Sequence, residues 1–127
     1  MKNFFLFVLI IIILLAIGSF FISDLKKNEA SPKILEVPVN YEYFWSQTCP
    51  HCAKVAEFME GWEGKDKVQV DKFEVNESPQ NTQKFFARGS FCSISSDQLG
   101  VPLLVTPKGE CFLGDEPIID YFENLEL

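Results

Sequence analysis

The hydrophobic pattern of this 127-residue chain changes character near residue 23. From Phe4 to Ile22, nineteen residues (FFLFVLIIIILLAIGSFFI) carry no charge, about the length a helix needs to cross a bilayer core. Beyond them the apolar positions come in short runs of differing period. Residues 24–36 mix charges with proline and predict a tether. Val39 to Trp45 (VNYEYFW) is rich in aromatics between polar flanks and predicts a buried strand. From Cys52 onward Val55, Ala56, Met59 and Trp62 recur at helical spacing while Lys54, Glu57 and Glu60 take the opposite face. Pro50 suits the first turn of that helix, and Gly61 or Gly64 its end. Lys67 to Val75 alternates and then shifts phase around Lys72, which predicts a second strand with an irregularity. Ser78 before Pro79 predicts the start of a helix that carries Phe85 and Phe86 and stops near Gly89. Leu103-Leu104-Val105, the turn Pro107-Lys108-Gly109 and Cys111-Phe112-Leu113 form a hairpin. Asp115 and Pro117 open a last helix with Ile118, Tyr121, Phe122 and Leu125 in one stripe. The order is that of a small layered α/β domain over 37–127, with a parallel strand pair joined by a crossover helix, then a hairpin and a helix.

Composition changes this picture at the N-terminus and in the choice of partners. The length of the apolar run favours an uncleaved transmembrane anchor over residues 1–23. A signal peptide, with Ala16-Ile17-Gly18 imitating a cleavage site, is the alternative. Either sends the remainder out of the cytoplasm, so the expectation is a single-pass protein of the cell membrane with its domain on the extracytoplasmic side. Lys2 opposed by Lys26, Lys27 and Lys33 gives that orientation little support from charge. Of eleven basic residues Lys2 alone precedes Asp24, leaving ten against eighteen acidic ones, a net charge of −8 on the rest of the chain. That balance lacks the basic stripe that phosphate neutralisation requires, so nucleic acid is not expected as a partner. Four cysteines, all outside the apolar run, fit an oxidising compartment.

The candidate chemistry lies in WSQTCPHCAKV, residues 45–55, where Cys49 and Cys52 bracket Pro50 and the chain's only histidine, His51. Thiol–disulfide exchange needs a thiolate, and an ordinary cysteine with a pKa of about 8.5 is mostly protonated at neutral pH. Cys49 falls at the predicted helix start, where unpaired N–H groups and the helix dipole favour a negative sulfur. His51 can add a charge or a hydrogen bond if its ring turns to Cys49. Cys49 is then the attacking nucleophile, and Cys52, one turn into the helix on its apolar face, resolves the mixed disulfide.

A C-x-x-C pair between a strand and a helix, followed about fifty residues later by Val101-Pro102 at the start of a hairpin strand, resembles the thioredoxin superfamily. The spacer Pro50-His51 with the upstream aromatics Tyr43-Phe44-Trp45 is most similar to the DsbA-type disulfide oxidoreductases. The resemblance implies a thioredoxin-like fold, a central mixed sheet flanked by helices, here preceded by the N-terminal transmembrane helix. It also implies a cis peptide before Pro102 lying against the cysteine pair. Trp45 is expected at the rim of the site. Two departures stand out. Many members keep a buried carboxylate where this chain has Tyr43, with Glu42 expected on the opposite sheet face, and the long helical insertion of DsbA is missing.

Cys92 and Cys111 admit two readings. One is a structural disulfide that ties the loop before Pro102 to the returning hairpin strand, worth about 3 kcal/mol on the loop-entropy model. The other is a second redox couple that relays electrons to or from Cys49 and Cys52. Nineteen residues apart, they form no second C-x-x-C, so neither a metal nor another cofactor is expected. The functional expectation is a membrane-tethered oxidoreductase that exchanges disulfides with protein thiols, chiefly as an oxidant, and is recycled by a membrane redox partner. A reductant fed by a transmembrane electron carrier and a thioredoxin-fold binding module or metal chaperone are the alternatives.

Overall fold

The computed structural model describes residues 1–25 and 36–127, and the chain divides into two compact units, Met1–Lys33 and Ile34–Leu127. The tether expected over 24–36 falls, from residue 26 to residue 35, outside the described residues.

In the first unit α1 spans Lys2–Leu25. Among the described residues no helix is long and apolar enough to cross a membrane. This corrects the expected transmembrane segment over 1–23. It also overturns the expectations that stood on it: a membrane-tethered enzyme, a single-pass location with an extracytoplasmic domain, a recycling membrane redox partner and a transmembrane electron supply.

The second unit is built on a four-stranded sheet in the order β2-β1-β3-β4. β1 (Tyr41–Trp45) pairs in parallel with β2 (Val70–Glu74) and antiparallel with β3 (Leu103–Val105), which pairs with β4 (Cys111–Leu113). Between them run α2 (Pro50–Gly61) and α3 (Pro79–Phe91), and α4 (Asp115–Glu123) closes the unit. This α/β topology with flanking helices matches a thioredoxin-like fold.

Strand alternation divides the core into two layers. On one side Tyr43 and Leu104 pack with Val55 of α2 and with Ile118 and Phe122 of α4. On the other, Phe44, Leu103 and Val105 pack with Phe85 of α3. Glu42, two residues before Phe44, faces the α3 side, where Arg88 and Lys84 bind its carboxylate. Burial alone would raise the pKa of that carboxyl, but the two cations outweigh it and the net shift is downward.

Three boundaries differ from those predicted. β1 begins at Tyr41, and Val39 is exposed. β2 starts at Val70 after a run of turns, one of them closed by Lys67 N–H on the Gly64 carbonyl, and pairs residue for residue with β1 without an irregularity at Lys72. α3 passes through Gly89 to Phe91. Gly89 serves packing: a Cβ there would stand 2.5 Å from Leu99 Cδ2.

Candidate active site

Ser46-Gln47-Thr48 leave β1, and Cys49, in an extended conformation (φ −91°, ψ 112°), caps α2 with Pro50 in its first turn. The cap is the cysteine sulfur itself, since the Cys52 N–H donates to Cys49 Sγ at 3.2 Å. Ordinarily a Ser, Thr, Asp or Asn oxygen fills that position. The Cys49 thiol in turn donates to the Val101 carbonyl at 3.5 Å. Val101 and Pro102 are joined by a cis peptide bond, which brings the hairpin loop against the cysteine pair.

Cys49 is partly exposed, whereas Cys52 is buried at 3% exposure, and both are free thiols. Burial, and after it the adjoining Cys49 sulfur, push the Cys52 thiol up to about 12. The pair is therefore unequal, with one sulfur open to an incoming group and the other sheltered behind it. Trp45 is half-buried and lines an open hollow with Gln47, Thr48 and Glu74.

His51 is exposed, and Asp115 engages its Nδ1 at 2.9 Å. Among the described residues no hydrogen bond joins His51 to Cys49. Asp115 Oδ2 also pairs with Lys54 Nζ at 2.9 Å. The Lys54 ammonium first, and His51 with it, hold the Asp115 carboxyl down at about 2. What brings Asp115 there is the start of α4: Gly114, at φ +99°, donates its N–H to the Pro102 carbonyl at 2.9 Å. Positive φ suits glycine. Sequence reasoning had Asp115 only as a helix opener. The available signal was two cationic-capable side chains three apart on one face of α2, a pair that attracts an acid.

Behind Cys52 lies a cavity of about 130 Å³ lined by Tyr43, Trp45, Val55, Met59, Lys72 and Phe122. Tyr43 reaches it from β1, and its hydroxyl is buried without a hydrogen-bond partner among the described residues. Cys92, the C-cap of α3, and Cys111 of β4 are joined in a disulfide. Among the described residues no three His, Cys, Asp or Glu side chains cluster as metal ligands.

A C-x-x-C pair at the N-cap of a helix, within a mixed sheet flanked by helices, is consistent with the broad thioredoxin superfamily and with a redox-active enzyme. Neither a protein-family model nor a curated protein nor a solved structure matches the chain.

Proposed function

We propose that the chain is a thiol–disulfide oxidoreductase of DsbA type acting on protein thiols, with Cys49 attacking and Cys52 resolving. The observation that carries this reading is the Cys52 N–H directed at Cys49 Sγ from the first turn of α2. That arrangement offers a thiolate both a hydrogen bond and the positive end of a helix dipole. His51 lies in the same helix turn, its ring held by Asp115 at 2.9 Å. On its other side the Cys49 thiol donates to the Val101 carbonyl, so an incoming sulfur meets one reactive atom on a fixed frame.

The two thiols then divide the work. Cys49 in its disulfide accepts attack, because it is the sulfur within reach. In donation a second thiol of the substrate then attacks the mixed disulfide and releases Cys49. In recharging, Cys52, buried beside it, attacks a mixed disulfide at Cys49, closes the ring and expels the partner. Stabilising the Cys49 thiolate stabilises the reduced pair, which makes the oxidised pair a disulfide donor. The joined Cys92 and Cys111 serve as a structural clip in this reading.

Exchange with glutathione, followed by mass spectrometry, tests it. The unaltered chain should cycle between dithiol and disulfide at Cys49 and Cys52, Cys49→Ser should be inert, and Cys52→Ser should accumulate a mixed disulfide at Cys49. Normal turnover in Cys52→Ser would remove the two-cysteine mechanism.

A further inference from the structure

Tyr43 is 6% exposed, and among the described residues its hydroxyl is the one buried side-chain polar atom with no hydrogen-bond partner. Buried tyrosine hydroxyls ordinarily find one. The ring lines the cavity behind Cys52, so the orphaned hydroxyl and the sheltered thiol share one space. The other groups facing that space are mostly apolar: Val55 and Met59 come from α2 and Phe122 from α4. Charge comes from Lys72, which lines the cavity from β2, pairs in register with Tyr43 and is exposed to solvent.

Charge must appear in this apolar space during exchange. When the Cys49–Cys52 bond opens, Cys52 departs as a thiolate; when it closes, Cys52 must first lose its proton. Building on the oxidoreductase reading above, we propose that Tyr43 donates the hydrogen bond that stabilises the Cys52 thiolate, and so sets the rate at which the pair opens and closes. The phenol is suited to donate rather than ionise, because burial, and behind it the charges of Cys52 and Cys49, push its pKa well above the usual range.

The closing step balances as follows. Cys52 gives its proton to solvent, and its sulfur, accepting the Tyr43 O–H, attacks Cys49 Sγ of a Cys49–glutathione disulfide. The Cys49–Cys52 bond forms and the Cys49–glutathione bond breaks. Glutathione leaves as a thiolate that takes a proton from solvent. Cys52 sulfur is oxidised, glutathione sulfur is reduced, and no further oxidant is required.

The test is Tyr43→Phe in the full chain, which removes one oxygen and keeps the ring. Release of glutathione from the preformed Cys49 mixed disulfide is followed by stopped flow from pH 6 to pH 10. A hydrogen bond to a charged group supports a loss of at least about tenfold in release rate. The rate should remain lower across the range, its rise with pH should move to higher pH, and attack of the reduced Cys49 on oxidised glutathione, in which Cys52 takes no part, should keep its rate. An unchanged release rate and pH profile in the folded variant overturns the proposal. If the variant does not fold, carbon-13 at the tyrosine Cζ of the unaltered chain decides. The Tyr43 resonance should differ between the disulfide and dithiol forms, and an identical position overturns the proposal. An unaltered chain that exchanges nothing with glutathione defeats the oxidoreductase reading instead, so the two failures are separable.

Discussion

Asp115 serves two partners with one carboxylate, His51 through Oδ1 and Lys54 through Oδ2. Because its folded-state pKa of about 2 lies below the ordinary 3.8, the stability it contributes is fully present above pH 3.8. It fades as pH falls toward 2. Asp115→Asn should therefore flatten the pH dependence of the melting temperature between about pH 4 and pH 2, as thermal scans at fixed ionic strength would show. An unaltered acid limb would place the ion pairs outside the stability balance. The same substitution also removes the 2.9 Å contact that fixes the His51 ring. Glu42 behaves alike in sign, since Arg88 and Lys84 hold it below its ordinary value and its contribution too is lost on acidification.

At the scale of elements, α3 shows how one helix meets two demands. Ser78 accepts the Asn81 N–H and Pro79 fits the first turn, so the start follows local rules. The far end does not. Gly89 costs the helix about 1 kcal/mol relative to alanine, and the residue is glycine because Leu99 occupies the space a Cβ would need. Gly89→Ala should then gain about 1 kcal/mol in propensity and lose about 1–3 kcal/mol to overpacking, a net loss. In a Leu99→Ala background the clash disappears and the sign should reverse, with Gly89→Ala stabilising by up to about 1 kcal/mol. Urea midpoints of the four chains check this. Additive effects would mean that Leu99 does not hold the position.

Across the domain, the Cys92–Cys111 disulfide links the C-cap of α3 to β4, elements nineteen residues apart in sequence. A loop of that size restricts the unfolded chain by about 3 kcal/mol. The double variant Cys92→Ser, Cys111→Ser should therefore unfold at lower denaturant by about that amount and keep its glutathione exchange at Cys49. Loss of exchange in the folded double variant would instead assign the second pair a redox role. The sheet makes the separation of roles physical. β3 follows the Pro102 turn beside Cys49, while the disulfide lies with the α3-side core cluster.

Much of this fold was legible because its signals are local. An aromatic-rich run gave β1, apolar runs on either side of a Pro-Lys-Gly turn gave β3 and β4, helical spacing gave α2 and α4, and Ser78-Pro79 gave the start of α3. The C-x-x-C pair was legible for the same reason: cap position and i, i+3 spacing are properties of adjacent residues. What escaped depends on residues far apart in sequence. His51 meets Asp115 sixty-four positions away, Arg88 reaches back forty-six to Glu42, and Leu99 fills the space beside Gly89 that a Cβ would take. The apolar N-terminal run suggested a span from length alone, a criterion no helix among the described residues satisfies. By itself, then, the chain determined which residues could form a helix start with a sulfur at its cap. Only tertiary packing decided that Asp115 takes His51 and that Tyr43 faces Cys52, because hydrogen-bond partners and cavity walls are chosen by where elements meet.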